Sequence, residues 1–425
     1  MKKDANENTA ASNSPQPVND LGRRQLLAMA AKGGGTLLVA PALGAVSGTA
    51  LGANAPTMAS DPTKVQGAPA GALGERSPHA ALGRIPAFGV VSVTPHEQLH
   101  GTITPSDLHF ERHHAGVPAI DPADHKLVIH GMVDKALSFT VEDLKRFPAI
   151  TRTCFIECSG NYFPQAGDKS PPHMICGLTS QSEWTGVSLA TLLREVGISS
   201  KASWMLAEGS DAAVLSRSIP IEKALDDALV VYAQNGEPLR PAQGYPMRLL
   251  LPGWEGNTNV KWLRRLELID TPAMTREETS KYTEPMLDNS IRQFSFELEA
   301  RSIITSPAYP ETIEPGWREI RGIAWSGRGR IDRVEVSSDG GKHWQVAELK
   351  SPALPKAHTR FGLMWHWDGS ATELMSRAID ETGYVQPTLK SIFTTRGTGS
   401  GHYHLNPITG WIVRSDGELR FNPTA

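Results

Sequence analysis

The hydrophobic pattern of the chain changes at Pro285, and this change is the feature that most limits the possible folds. After Pro285, short runs of alternating apolar and polar residues follow one another, such as Glu319 to Trp325 and Arg330 to Ser337. Glycines separate these runs, and Asp339-Gly340-Gly341 has the composition of a hairpin turn. Short strands at this spacing predict a β-sandwich over residues 286–425.

The earlier half of the chain mixes strand and helix signals. Apolar runs such as residues 247–251 predict strands. Between Ser188 and Gly197, apolar residues recur at helical spacing, and these two flanking residues are typical of a helix start and a helix end. The predicted fold is therefore α+β over residues 91–285, followed by the all-β region.

The N-terminal segment resembles an export signal of the twin-arginine (Tat) type. Arg23-Arg24 precede a weakly apolar stretch that runs to Leu51, and a small-residue site lies at Ala53-Asn54-Ala55. This predicts a signal peptide over residues 1–55 and a periplasmic location; an ordinary secretory signal or an N-terminal helical anchor is the alternative. Gly, Thr and Lys interrupt the stretch too often for a stable membrane span. Residues 56–90, rich in Pro, Gly, Ala and Ser, predict a linker.

Charge and cysteine content exclude several classes of function. The 42 basic and 45 acidic residues give a net charge of −3, so nucleic acid is not an expected partner. Three cysteines cannot form a disulfide scaffold. The sequence contains no Cys-x-x-Cys-His motif, no glycine-rich dinucleotide fingerprint and no P-loop. We therefore expect no haem on this chain.

Cys158 is the first candidate for a metal ligand. It follows an apolar run and precedes the small Ser159-Gly160-Asn161 turn, which places a thiol at the end of a predicted strand. A thiolate there is a soft donor for a soft or high-valent metal, whereas the alternative is a buried structural cysteine. Cys154 lies four residues earlier, but this spacing lacks the second pair of ligands that a zinc site needs.

Three further segments place basic residues where an anion could bind. Arg112-His113-His114 stand together in a proline-bounded loop. Arg248 lies in an apolar strand, where an unpaired guanidinium is costly, and Lys261 follows a loop from Gly253 to Asn259 whose N–H groups could hold a phosphate. The pattern predicts an anionic or polar cofactor; the alternative is a pair of salt bridges between strands.

Four linked motifs identify the chain as similar to the sulfite oxidase family of molybdopterin enzymes. They are Cys158 to Asn161, Glu183 to Val187, Gly244 to Arg248 and Val260 to Leu263, and they occur in the family's order and spacing. The resemblance extends over about residues 95–425 and includes a carboxyl-terminal immunoglobulin-like dimerisation domain. Within the family, residues 177–187, the Tat-like signal and the missing haem domain resemble members that oxidise sulfane sulfur during thiosulfate oxidation.

The resemblance implies a molybdenum–molybdopterin cofactor and a role for each matching residue. Cys158 matches the cysteine that ligates molybdenum. The residues implied to bind the cofactor are His113, His114, Asp211, Gln243, Arg248, Asn259, Val260 and Lys261. The residues implied to act in catalysis beside Cys158 are Tyr282, Arg112 and Arg396. Gln243 stands where many members have a histidine, which makes its role the least typical of the set.

One position departs from the animal members, which carry an arginine five residues after the ligand cysteine. This chain has Phe163 there. Each charge-assisted hydrogen bond to an anion contributes roughly 1.5–3 kcal/mol, so losing one arginine weakens sulfite binding by about tenfold or more. The departure favours sulfane sulfur presented on the cysteine arm of a sulfur-carrier protein. A free-sulfite dehydrogenase is the alternative, and a binding or scaffolding protein without cofactor is a more distant one.

The same resemblance implies partner proteins. Because no haem is expected here, the two electrons must leave one at a time to a c-type cytochrome subunit. The carboxyl-terminal domain implies a homodimer or, with the cytochrome, a heterotetramer.

Overall fold

The computed structural model describes residues 64, 66–80, 82–163, 166–397 and 403–423. The chain divides into two compact units, Met1–Glu75 and Arg76–Ala425. All described residues of the first unit are exposed, and the signal predicted over residues 1–55 lies outside the described part. The second unit holds all the elements discussed below.

The described residues of the first part of the second unit, up to Ile269, form three sheets and four α-helices. Its strands are β1 Ile85–Phe88, β2 Val91–Val93, β3 Glu111–Arg112, β4 Leu127–Gly131, β5 Leu137–Phe139, β6 Ala149–Glu157, β7 Thr179–Ser188, β8 Trp204–Gly209, β9 Ser216–Pro220, β10 Leu229–Gln234, β11 Glu237–Pro238, β12 Arg248–Leu250 and β13 Leu263–Ile269. The helices are α1 Val141–Leu144, α2 Pro172–Cys176, α3 Leu189–Val196 and α4 Ile221–Asp226. The sheets have the strand orders β1-β2-β3, β11-β10-β7-β6 (with β12 beside β10) and β5-β4-β13-β8-β9. Only β13 and β4 pair in parallel among these described strands.

Helix α3 shows how local sequence places these elements. Leu189, Leu192, Leu193 and Val196 are fully buried, and burying each side chain stabilises the fold by about 1.5–3 kcal/mol. Gly197 ends the helix with φ +69°, and a Cβ there would lie 2.2 Å from Asp134 Oδ2. The helix predicted between Ser188 and Gly197 is confirmed, although the Ser188 side chain makes no cap hydrogen bond.

The second part is built almost entirely of strands, as its alternating pattern predicts. After the short pair β14 Glu284–Pro285 and β15 Ile291–Arg292 come β16 Arg301–Ser306, β17 Gly316–Trp325, β18 Ile331–Ser337, β19 Gln345–Val346, β20 Glu348–Leu349, β21 Thr359–Trp367, β22 Thr372–Asp380, β23 Thr409–Val413 and β24 Leu419–Asn422. They form two antiparallel sheets, β16-β17-β21-β20 and β19-β18-β22-β23-β24, that share one apolar core. Phe155 and Cys176 from the first part join this core, so the two parts pack as one body.

Two features depart from the sequence expectations. Residues 85–88, placed in the linker, form β1, because they pair with β2 at the edge of a three-stranded sheet. A helix, α5 Leu389–Arg396, lies in the region predicted to be all-β. Its first turn is capped by Thr388, whose side chain accepts from the Ser391 N–H. Among the described residues, no helix is both long and apolar enough to cross a membrane.

Candidate active site

Cys158 follows the last residue of β6 directly, as its sequence position predicts. Its N–H donates to the carbonyl of Leu178 (2.9 Å), and its carbonyl accepts from the Asn161 N–H (2.9 Å). The backbone of Gly256 crosses this strand end so closely that a Cβ would lie 2.8 Å from the Glu157 carbonyl oxygen. These contacts fix the thiol at the strand end, and burial raises its pKa.

The other two cysteines have the structural role that sequence reasoning kept open for Cys158. Cys154 and Cys176 are fully buried in apolar clusters, and burial raises the pKa of each thiol to about 12. Cys158 alone among the three is half-buried and lines a cavity. The described residues include no group of three or more His, Cys, Asp or Glu side chains arranged to hold a metal ion.

A deep cavity, the main cavity, opens beside Cys158. Ten of the twelve residues predicted for the site line it: Arg112, His113, His114, Cys158, Asp211, Gln243, Arg248, Asn259, Lys261 and Tyr282. The structure therefore brings together loops that lie up to 170 residues apart in sequence (282 − 112 = 170). The sequence missed His109 and Glu111, which also line this cavity, whereas Gly256, Asn257 and Trp262 come from the loop and the motif that it had singled out.

Arg248 on β12 is buried in the main cavity without a counter-charge. It donates to the carbonyls of Gln243 (3.0 Å) and Asn259 (2.9 Å), while its Nε has no hydrogen-bond partner. Burial lowers the pKa of this guanidinium to about 9, so it remains charged at neutral pH. No ion pair to a carboxylate occurs for Arg248 in the described part of the chain, which excludes the strand salt bridge considered above.

Lys261, beside Arg248 in the main cavity, also makes no ion pair with a carboxylate among the described residues. Its Nζ lies 2.7 Å from His113 Nδ1 and 3.2–3.3 Å from the carbonyl oxygens of Arg112 and Ala242. Burial and the nearby charge of Arg248 lower its pKa well below the ordinary value. Two adjacent buried cations raise the electrostatic potential of the cavity, and an anionic group would relieve that cost.

The two histidines of the predicted loop meet different partners. His113 Nε2 lies 2.8 Å from a Glu111 carboxylate oxygen, and burial lowers the His113 pKa despite this hydrogen bond. His114 Nε2 lies 3.0 Å from the Tyr282 hydroxyl. Burial lowers the His114 pKa to about 3 and raises that of Tyr282, so both partners are neutral at pH 7. Tyr282 is thereby held with its hydroxyl at the cavity wall.

The predicted polar residues shape the wall through hydrogen bonds of their own. Gln243 Nε2 donates to the Phe110 carbonyl (2.8 Å), which fixes its side chain between Arg248 and β3. Asn259 Oδ1 accepts from the Leu251 N–H (2.7 Å) and therefore holds its loop closed. Asp211 Oδ1 accepts from the Leu215 N–H (3.1 Å), so this carboxylate also supports the local turn.

Two predicted site residues do not reach the cavity. Val260 is fully buried in the apolar core, because its side chain continues the packing of the strands beside it. Arg396, at the end of α5, donates to the His404 carbonyl (2.9 Å) and pairs with Glu299 at 3.2 Å. Its guanidinium is paired there and does not line the main cavity, so the structure does not place it beside Cys158 and its catalytic role stays a prediction.

A second opening, the side cavity, approaches Cys158 from another direction. Its described walls are Val91, Arg112, Cys158, Gly160, Phe163, Leu178, Tyr282 and Tyr403. Arg112 is the one charged side chain among these. Tyr403 comes from the second part of the unit and packs against Tyr282, with ring centroids 5.3 Å apart. Sequence reasoning missed Tyr403, since nothing in the local pattern links it to Cys158.

Behind Tyr282 lies a buried ionic network that sequence reasoning also missed. Arg217 pairs with Glu255 (2.9 Å) and Glu278 (2.8 Å), and its guanidinium lies 5.0 Å from the centre of the Tyr282 ring. His404 Nε2 lies 3.3 Å from Glu255. Although burial opposes it, this hydrogen bond raises the His404 pKa. Arg217 lies between Ser216 and Ser218 on β9, so the local pattern, unlike that around Arg248, did not mark it.

Two protein-family models match the chain. Residues 114–277 match the oxidoreductase molybdopterin binding domain family, and residues 292–410 match the Mo-co oxidoreductase dimerisation domain family. The chain is 31% identical to sulfite oxidase of Gallus gallus over 330 residues, 71% of this chain and 72% of that protein. It is 31% identical to NADH nitrate reductase of Ulva prolifera over 353 residues.

The extent of the match differs among the similar proteins. The chain spans 41% of the Ulva prolifera protein and 61% of human mitochondrial sulfite oxidase. A crystal structure of the sulfane dehydrogenase SoxCD from Paracoccus pantotrophus superposes with a TM-score of 0.80 at 43% identity. That match covers 85% of this chain and 97% of the other.

The residues that line the main cavity fit a molybdopterin cofactor. It offers one thiol at Cys158 as a soft metal donor. It also holds two buried cations, one with an unpartnered Nε, that suit a phosphate group. Cys158 would bind the metal, and Arg248 and Lys261 would hold the anionic end of the cofactor. The chain thus belongs to the sulfite oxidase family of molybdopterin oxidoreductases.

Proposed function

We propose that this protein oxidises sulfane sulfur held on a carrier protein during thiosulfate oxidation and passes the electrons to a c-type cytochrome subunit. The observation that carries the proposal is the side cavity, the route to Cys158 with largely apolar walls. Phe163, Leu178 and Tyr403 face this route, with Arg112 as the one charged side chain among its described walls. Such walls suit a sulfur atom on an uncharged arm better than a free dianion.

The size of the charge effect supports this choice. A second guanidinium in the side cavity would add roughly 1.5–3 kcal/mol to the binding of a small oxyanion. Phe163 cannot make such a charge-assisted bond to an oxyanion, whereas its ring offers apolar area to a cysteine arm. The name of the similar Paracoccus pantotrophus structure, a sulfane dehydrogenase, agrees with the proposal.

The residues of this chain have distinct roles in the proposed reaction. The cofactor, when bound, supplies oxygen-atom transfer and takes up two electrons. Arg112, which lines both cavities, would stabilise negative charge that develops on the sulfur-bound oxygen. Tyr282, held by His114, would donate a hydrogen bond toward the reacting centre. Arg248 and Lys261 would keep the cofactor in place.

The cellular setting and the assembly are part of the proposal. The twin arginine at residues 23–24 supports export by the Tat pathway to the periplasm. The match of residues 292–410 to a dimerisation domain supports an immunoglobulin-like sandwich that forms a homodimer, or a heterotetramer with the cytochrome. Residues 91–285 would then be the catalytic domain and residues 286–425 the dimerisation domain.

The second candidate is a free-sulfite dehydrogenase. It is favoured by Arg112 in the side cavity and by the similarity to sulfite oxidases. The two candidates share the cofactor and the residues around it, and differ only in what enters the side cavity.

Sulfite-dependent reduction of a small cytochrome c by the purified, molybdenum-loaded chain separates the two. Sulfane oxidation predicts negligible sulfite turnover of the wild-type chain alone, and Phe163→Arg should tighten the binding of sulfite, measured directly as its Kd, by about tenfold or more. Met274→Arg adds the same charge at an exposed position outside the described cavities and should change nothing. Rapid sulfite turnover by the wild-type chain would establish the second candidate instead.

A further inference from the structure

A third, small cavity, the rear cavity, lies between the Cys158 turn and the second part of the unit. Arg301 on β16, His404 and Asn406 form the far wall, and Ser159 belongs to the near wall. The side chains of all three far-wall residues are at least nine-tenths buried, with 3–4% of each residue exposed. Cys158 also lines this cavity, but the proposed function uses no other residue of its walls.

Each far-wall side chain keeps one buried polar atom without a partner: Arg301 Nη2, His404 Nδ1 and Asn406 Oδ1. The other polar atoms of these side chains are occupied. Arg301 Nη1 donates to Glu157 (3.2 Å), His404 Nε2 lies 3.3 Å from Glu255, and Asn406 Nδ2 donates to the Ala300 carbonyl (2.9 Å). The side chains are thereby held in place with their remaining atoms unsatisfied.

Three unsatisfied atoms in residues around one cavity indicate a missing partner. Buried polar groups in folded proteins are almost always hydrogen-bonded, and single buried waters typically make two to four such bonds. A single buried atom without a hydrogen-bond partner can be explained in many ways. A donor, an acceptor and an imidazole nitrogen around one cavity can all be satisfied by one bound molecule.

We propose that the rear cavity binds one ordered water molecule that bridges Arg301, His404 and Asn406. A water accepts from Arg301 Nη2 and donates to Asn406 Oδ1. Its remaining capacity matches His404 Nδ1, whether that nitrogen carries a proton or not. The carboxylates of Glu157 and Glu299, which also line the cavity, oppose an anion there.

The water would complete the support of the metal-ligand turn. The His404 N–H donates to the Ser159 carbonyl (2.8 Å), and Arg301 Nη1 donates to the Asn161 carbonyl (2.5 Å). Both far-wall residues therefore hold the turn that carries Cys158 through direct bonds. The water ties these two residues to Asn406, so the turn and the second part of the unit become one hydrogen-bonded body.

A crystal structure of the molybdenum-loaded chain at a resolution that shows ordered waters tests the proposal directly. We expect one peak within hydrogen-bond distance of the three named atoms. A parallel crystal soaked in bromide distinguishes an anion by its anomalous signal. An empty cavity, or a bromide peak at this place, would overturn the proposal.

Two variants at Asn406 test the assigned acceptor. Asn406→Thr keeps an acceptor oxygen and should keep the water, whereas the isosteric Asn406→Val offers no acceptor and should lose it. Both variants lose the hydrogen bond to the Ala300 carbonyl, so their comparison isolates the acceptor. The valine variant should also have a Tm a few degrees lower than that of the threonine variant. An unchanged water in the valine variant contradicts the assignment. If that variant does not fold, the wild-type density and the threonine variant still decide the question.

Discussion

Replacing Lys261 with methionine separates the two roles that a buried lysine can have. Its Nζ contacts His113 Nδ1 (2.7 Å) and two carbonyls at 3.2–3.3 Å, but no carboxylate among the described residues. If it serves an anionic cofactor, Lys261→Met removes one charge-assisted hydrogen bond of about 1.5–3 kcal/mol. At about 1.4 kcal/mol per factor of ten, cofactor affinity should fall roughly 10- to 150-fold.

The stability of the cofactor-free protein, in contrast, should depend little on Lys261. Without an anion, the Lys261 ammonium is desolvated and repelled by Arg248, so its removal costs the fold little. We expect the free energy of unfolding of the cofactor-free Lys261→Met variant to stay within about 1 kcal/mol of the wild type, or to rise. Molybdenum and pterin retained after exhaustive dialysis, together with urea unfolding of the cofactor-free protein, measure both effects.

Lys223 offers a matched control. It is also largely inaccessible to solvent, but it pairs with Asp227 at 2.6 Å and donates to the Pro252 carbonyl. Lys223→Met should destabilise the cofactor-free protein by on the order of 2 kcal/mol and leave cofactor retention unchanged. If Lys261→Met instead behaves like this control, keeping its cofactor and losing stability, the assignment of Lys261 to the anion site is refuted.

Two other predictions follow from the geometry. Gly256→Ala places a Cβ 2.8 Å from a carbonyl oxygen of β6, so it should lower the free energy of unfolding by about 1–3 kcal/mol and reduce cofactor retention. Gly83→Ala has open space around its Cβ and should match the wild type. Equal behaviour of the two variants would contradict the close approach at Gly256. Burial lowers the pKa of His96 and His109 to about 3, below the unfolded value of about 6.5. Their contribution is therefore present above pH 6.5 and lost as pH falls toward 3, by up to about 1.4 kcal/mol per pH unit for each histidine. Urea unfolding across this range should show a shallower acid loss in His109→Gln, and an unchanged slope would contradict the buried neutral ring.

The sequence was most informative where chemistry and local pattern agree. Cys158 could be placed at a strand end because an apolar run meets a small flexible turn. Arg248 could be assigned to an anion because a guanidinium in an apolar strand needs a charged partner. The division into a mixed first part and a strand-rich second part follows from hydrophobic periodicity, which depends on the elements themselves and not on how they pack.

Long-range packing set the limit of the sequence reasoning. Tyr403 reaches the side cavity because the second part folds back onto Tyr282, and no local pattern records that contact. Arg396 was placed at the site by resemblance, yet its guanidinium is taken up by Glu299 in the tertiary structure. The α5 helix was missed because its apolar face has only three residues, Leu389, Ile392 and Phe393, within a strand-rich region.

The most direct test of the account is the number of sulfur neighbours of molybdenum, measured by X-ray absorption on the loaded protein. If Cys158 ligates the metal, Cys158→Ala loses one sulfur neighbour relative to the wild type, and loses turnover, while its fold is retained. Cys176→Ala, which removes a buried thiol that lines none of the described cavities, should leave the sulfur count unchanged. The same sulfur count in the wild type and in Cys158→Ala would contradict the assignment of Cys158 as the protein's ligand to the metal.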